Sequence, residues 1–360
     1  MQLQGQIASS ADAVNLEKQG RFAEAEKAWE SVVKQNPQDA GAFASLGVVL
    51  SRQQKFTQAV SAYRRALALA PNLPGIHLNL GLAEFKQGHF QAAILPLSQA
   101  AVEEPASSQP RILLGMSYYG AKRFEEATRS LSPAVEADPE NTELRQVLAQ
   151  SCLGAKNYAC ALEQFRTIVE HDPNSSAAHI LLGEALDGLQ KTDEAIVEFQ
   201  AAAKISPGQT DLHFGLGYLY WKSHKYDEAG REFESELAID PGHAQALAYL
   251  GDIALKKNDF ERARTLLERA VHQENDVRLA YLDLGAALTE LKQYAPAVKA
   301  LARAVELDPS QPDAHYRLGR AYQALGNRTA AEQEFAKTRE LHQKSDEAVA
   351  IRSSPPPPSQ

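Results

Sequence analysis

The chain has 360 residues, 44% of them hydrophobic, and a formal net charge of −9. That apolar content is ample for a continuous core, and the acidic balance argues against a nucleic-acid partner, which requires clustered Lys and Arg. No apolar stretch approaches the roughly 20 residues needed to cross a bilayer, so no membrane span is expected.

Met1 to Ser10 has neither a basic nor an apolar signal-peptide region, and the chain as written reads as cytoplasmic. A preceding leader would make it periplasmic or secreted. The two cysteines, Cys152 and Cys160, are too few for a disulfide scaffold or the usual kind of zinc site.

A 34-residue step organises nearly everything else. Alanine recurs without a miss from Ala25 through Ala59, Ala93 and onward to Ala331. Proline keeps the same step from Pro37 to Pro241 and again at Pro309, with Asn275 as the single break. A strict period of this size means a solenoid of stacked short units. Ten repeats start at residues 6, 40, 74, 108, 142, 176, 210, 244, 278 and 312, so the array covers 6–345.

Within a repeat, apolar residues at positions 4, 7, 8 and 11 form one helical stripe, and those at 17, 20, 24 and 27 form a second. Position 7 is Leu in nine of ten repeats and position 8 is Gly in eight. Position 24 is always large and apolar, from Trp29 and Tyr63 to Phe335. Small residues at 8 and 20 let two helices approach, and the large residue at 24 fills the adjoining space. Proline at 32 ends the second helix and turns the chain into the next repeat. Pro74, Pro110 and Pro312 are placed at helix starts. Pro96 and Pro133 fall inside second helices, where each should introduce a kink, and are read as drift on an outer face.

In repeat 1 an Asp (Asp12) replaces the usual Leu, as suits a cap. After repeat 10, residues 346–352 are expected to extend the last helix. Residues 353–360, SSPPPPSQ, read as a disordered polyproline-type tail.

This pattern resembles the tetratricopeptide repeat family, whose 34-residue signature it follows over about residues 6–345. The family's Trp at position 4 is absent: that position carries Phe43, His77, Arg111, Arg145, His179, His213, Leu247, Tyr281 and His315. The resemblance implies an all-α, right-handed superhelical solenoid whose first helices line an inner groove that binds peptides or proteins.

By the same resemblance, positions 2, 5, 9, 12 and 13 face that groove. Repeats 3 and 4 place Leu78, Leu82, Phe85, Ile112, Met116 and Tyr119 there, and repeat 7 places Phe214, Tyr218 and Trp221. Glu143, Glu184, Asp187, Asp211 and Asp252 supply acid, countered by Lys222, Lys256 and Arg320. Exposed apolar and aromatic residues of this kind mark interaction surfaces. The expected partner is a segment with apolar and basic side chains. Packing of some of these residues between repeats is the competing reading. Position 9 holds no Asn, so a carboxylate clamp of the family's chaperone-binding type is not expected.

Cys152 and Cys160 flank the turn of repeat 5 and could meet across its helices. A disulfide requires alpha carbons within about 7 Å. Two small buried free cysteines are the favoured alternative. Four histidines at position 4 lie whole repeats apart and do not converge on a metal, so structural roles are expected. Neither a phosphate-binding glycine loop, nor a nucleophile elbow, nor a His-Glu metal motif is present, and no cofactor or metal is expected.

The function expected is a non-catalytic scaffold or adaptor. The alternatives are a targeting or regulatory subunit that positions a separate enzyme chain, and a periplasmic assembly factor.

Overall fold

In the computed structural model, residues 9–353 are described, with side chains to residue 347. The Pro-rich tail beyond Ser353 lies outside the described residues. Those residues form twenty helices and no strand. Of these residues, those up to Asn174 together with Glu184–Gln190 gather into an N-terminal body, and Ser175–Gly183 together with those from Lys191 onward gather into a C-terminal body.

Two helices correspond to each repeat, as in Ala40–Arg52 and Phe56–Leu69 of repeat 2 or Ala244–Lys256 and Phe260–Gln273 of repeat 8. The alanine at position 20 is buried in every repeat, from Ala25 to Ala331. The glycine at position 8 sits directly under the large residue at position 24. A Cβ added at Gly47 would lie 2.4 Å from the Tyr63 ring, and one at Gly217 would lie 2.8 Å from that of Phe233. Helix approach and core filling are therefore one contact. Burying each such Leu, Phe or Tyr side chain contributes about 1.5–3 kcal/mol.

The turn inside each hairpin has a strict conformation that the residue types conceal. Position 15 is left-handed in all ten repeats, with φ from 57° to 87°. Only Gly20, Gly88 and Gly326 are glycines; the others include Lys122, Lys156, His224 and Asn258. The next N–H closes the helix end by reaching back five residues, as Lys55 does to the Leu50 carbonyl at 2.9 Å and Arg123 to that of Tyr118 at 2.8 Å. This is the Schellman arrangement, whose tertiary dividend here outweighs the left-handed cost of about 1–2 kcal/mol.

At position 4, where the family's Trp is missing, the polar residues of several repeats form latches. In repeat 10, His315 Nδ1 contacts Glu334 at 2.6 Å and its Nε2 contacts the Pro309 carbonyl at 3.1 Å. His213 joins Glu232 and Pro207 in the same way, at 2.7 and 3.1 Å. Arg145 bridges Gln164 and Pro139 at 2.7 and 2.8 Å. Each latch ties a second helix to the loop that enters its own repeat. Where position 23 is Pro96, His77 turns instead to Glu103.

Two proline expectations need correction. Pro96 is buried and faces the core; only Pro133 lies on an outer surface. Both helices run on through their prolines, Phe90–Glu103 and Phe124–Ala137. Pro74 is not at a helix start, because that helix begins at Ile76 behind Gly75, whose φ is +74°. Asp12 has a local reason: it forms a reciprocal cap with Ser9 at the first turn of Ser10–Lys18.

The cysteine expectation is also corrected. Cys152 and Cys160 are joined by a disulfide, with alpha carbons 5.7 Å apart. The turn at Lys156 brings the end of one helix back over the start of the next, closing the distance that sequence spacing leaves open.

Candidate binding faces

In the N-terminal body the first helices of repeats 2–5 present one face. Leu78, Leu82, Phe85, Ile112, Met116 and Tyr119 are all half-buried on it. They divide by role. Leu78 and Phe85 pack on the core cluster of Ile94, Leu97 and Leu114, and the Phe85 ring meets Phe90 edge-on at 5.5 Å. Tyr119 is tethered, its hydroxyl donating to Gln150 Oε1 at 2.7 Å. Ile112 and Met116 instead line an open concavity of about 440 Å³, together with Glu143, Leu144, Val147 and Gln150. A second concavity of about 360 Å³ contains Leu82 with Val48, Ser51, Arg52, Asn79 and Lys86.

The helix Ser176–Gly188 carries Glu184, which is exposed, and Asp187, which is half-buried.

In the C-terminal body, Phe214, Tyr218 and Trp221 join one aromatic group with Tyr249. Tyr218 stacks on Trp221 at 6.1 Å, and Trp221 meets Tyr249 edge-on at 5.0 Å. The Tyr249 hydroxyl is pushed up to about 12 by burial, with the Tyr218 and Asp252 charges adding to it. Trp221 Nε1 donates to Asp252 Oδ2 at 2.6 Å, and Lys256 Nζ donates to Asp252 Oδ1 at 2.5 Å. Lys256 also lies 5.6 Å from the Trp221 ring centre. An internal cation thus already occupies the aromatic and acidic groups offered to a basic partner.

Asp211 is likewise committed. It begins the helix Leu212–Lys222 with φ +66°, and its Oδ1 meets His243 Nε2 at 3.1 Å. Glu236, fully buried, accepts the N–H groups of Asp211 and Phe214 at 2.8 and 3.0 Å. Asp211, Glu236 and His243 have ligand atoms within 4.8 Å of one another. The backbone bonds to both Glu236 oxygens, and the bond from the Ala246 N–H to His243 Nδ1 at 3.1 Å, account for this cluster as a helix start.

Four profiles described as "Tetratricopeptide repeat" match residues 12–74, 46–110, 84–151, 118–185, 176–209, 220–288 and 313–345 between them, and one described as "TPR repeat" matches 285–326. The chain belongs to the tetratricopeptide repeat family. No curated protein matches it. Among solved structures, a chain of the APC/C hetero-tetramer Cut9–Hcn1 is 16% identical, with TM-score 0.51 over 92% of this chain and 72% of that one. YrrB, titled a TPR protein with an unusual peptide-binding site, is 22% identical, with TM-score 0.44 over 54% of this chain and 100% of its own. Yeast Tom70 is 16% identical, with TM-score 0.42 over 95% and 93%. These likenesses concern the fold of the tetratricopeptide array.

Val48, Asn79, Val147 and Gln150 join the concavities although composition did not single them out. Val48 and Gln150 do occupy position 9, beside Leu82 and Met116 in neighbouring repeats. That shared position was the signal available.

Proposed function

We propose that this tetratricopeptide array is a non-catalytic scaffold that holds a segment of another protein against the first helices of its repeats. The observation that carries this reading is the pair of open concavities around Leu82 and around Ile112 and Met116. Apolar side chains there line accessible space and are not sealed into the core, which is what a binding surface requires. The candidate contact residues are Leu78, Leu82, Phe85, Ile112, Met116, Tyr119, Glu184 and Asp187 in the N-terminal body and, separately, Asp211, Phe214, Tyr218 and Trp221 in the C-terminal body. Among these, Ile112 and Met116 contribute most to contact, because they are the least engaged elsewhere.

Site-specific photo-crosslinking tests this. A crosslinker at Met116 should capture a discrete partner that one at Leu95, 69% exposed on a second helix, does not. The Ile112→Glu/Met116→Glu double variant, shown folded by circular dichroism, should lose that capture. Equal capture from both sites, or capture unaffected by the double variant, sinks the reading.

The Cys152–Cys160 bond favours a narrower second reading, a scaffold that works in an oxidising compartment, such as a periplasmic assembly factor. Thiol titration of protein taken from its native compartment decides it. No titratable thiol before reduction and two afterwards support it; two free thiols at the outset refute it.

A further inference from the structure

Position 13, in the last turn of the first helix, is Lys18, Arg52 and Lys86 in three successive repeats of the N-terminal body. All three are exposed, and none forms an ion pair or side-chain hydrogen bond among the described residues. Other basic residues of these repeats do form such pairs. Lys55 pairs with Glu26 at 2.6 Å, Arg64 with Glu84 at 2.6 Å, and Arg21 with Glu24 at 2.5 Å. Glu26 and Glu84 are engaged by these partners, and Glu17 by the Trp29 indole.

A favourable interaction with the helix dipole, worth about 0.3–1 kcal/mol, accounts for one cation in a last turn. Position 13 is also basic at Lys222 and Lys256 in repeats 7 and 8, where Lys256 pairs with Asp252 at 2.5 Å, and is Gly120, Gly154, Gly188, Glu290 and Ala324 in the others; only repeats 1–3 set three such cations in succession with none of them in an ion pair among the described residues. Arg52 and Lys86 also border the concavity of about 360 Å³, whose walls supply apolar surface from Val48 and Leu82 and polar groups from Ser51 and Asn79. Ser51 Oγ is fixed at 3.1 Å from the hydroxyl of buried Tyr63. The chain as a whole carries a net charge of −9, so attraction for an acidic segment must come from a local group of cations such as this row and not from the net field.

We infer that repeats 1–3 bind an acidic segment of the partner protein, with carboxylates set between apolar residues. The carboxylates pair with Lys18, Arg52 and Lys86, and the apolar side chains rest on Val48 and Leu82. This assignment rests on the scaffold reading above and departs from the basic partner that the acidic middle repeats suggest. The row lies at helix C-terminal ends, where carbonyls rather than N–H groups face the ligand. That setting favours separate carboxylates held by side chains over a compact phosphate held by backbone.

The test is fluorescence anisotropy on the full chain with fluorescein-labelled decapeptides alternating Glu–Leu, Gln–Leu, Lys–Leu or phosphoserine–Leu. The Glu–Leu peptide should bind at least tenfold more tightly than Gln–Leu at 50 mM salt, and should weaken at 200 mM. Arg52→Glu/Lys86→Glu should abolish the preference, and the milder Arg52→Gln/Lys86→Gln should reduce it. Lys27→Glu/Lys34→Glu, with the same change of charge at exposed sites on the second helix of repeat 1, should leave it intact. Preference for Lys–Leu or phosphoserine–Leu, or no effect of the Arg52/Lys86 variants, overturns the inference. Equal binding of the Glu–Leu and Gln–Leu peptides, lost in Ile112→Glu/Met116→Glu, overturns it while leaving the scaffold reading in place.

Discussion

Leu267 fills the space a side chain on Gly251 would need: a Cβ added there would stand 2.5 Å from Leu267 Cγ. The partner atom belongs to a fully buried side chain with no room to retreat. Gly251→Ala should therefore lower stability by about 1–3 kcal/mol, despite alanine's better helix propensity. Gly230, also helical, has nothing within 4 Å of its added Cβ, and Gly230→Ala should raise stability by about 0.5–1 kcal/mol. Thermal unfolding of the two variants should show shifts of opposite sign.

Lys122 tests the hairpin turn. Its φ of 58° is held by the helix-end bonds around it and is costly for a residue with a Cβ. Lys122→Gly should stabilise the protein by roughly 0.5–1 kcal/mol, and Lys122→Val should destabilise it by more than that. The reverse order in urea unfolding would show that the turn relaxes.

Glu236 stands where six other repeats carry alanine. A consensus argument would predict that Glu236→Ala stabilises. The structure predicts the opposite, because the Asp211 and Phe214 N–H groups would lose their acceptor. A cost of about 1–3 kcal/mol is expected, with faster amide hydrogen exchange at Phe214. Unchanged exchange there would remove the capping role.

Asp283 makes stability pH-dependent. Burial pushes its carboxyl up to about 7, with the Asp252 charge adding to the shift and Arg317 opposing it. Arg317 Nη1 is 3.7 Å from Oδ1, while Oδ2 has no hydrogen-bond partner. Because the folded state holds this proton more tightly than the unfolded state, its stabilisation is complete below pH ~4. It is lost as pH rises through about 7. The loss is on the order of 2–4 kcal/mol. Asp283→Asn should flatten the decline between pH 4 and 8 in denaturant titrations; an unchanged slope would assign it to other groups.

Much of the fold was legible because a solenoid repeats its local problem. Ala25 and its nine counterparts mark the close helix contact, Gly47 and its counterparts mark the space for position 24, and Pro37 and its counterparts mark the ends. The left-handed turn left no such mark. Lys, Gln, His and Asn take that conformation in seven repeats, so the period exists in φ and not in residue type. Pro96 was misplaced because proline shows where a helix loses a bond, not which way its ring faces.

The candidate surface divides along the same line. Apolar residues at positions 5, 9 and 12 were visible in the sequence, yet Phe85 is anchored to a core cluster while Met116 lines open space. Asp252 and Lys86 were both plain charges in the sequence. Asp252 is taken by Trp221 and Lys256, and Lys86 is left free.

The sequence by itself determined the tetratricopeptide fold, because each helix packs chiefly on its neighbours and a 34-residue period restates that packing every time. Only the tertiary structure decided which charges and apolar side chains remain available to a partner. Those pairings join residues of adjacent repeats, such as Trp221 to Asp252 and Lys55 to Glu26, and depend on side-chain reach across helices. Residue type and spacing do not encode that reach.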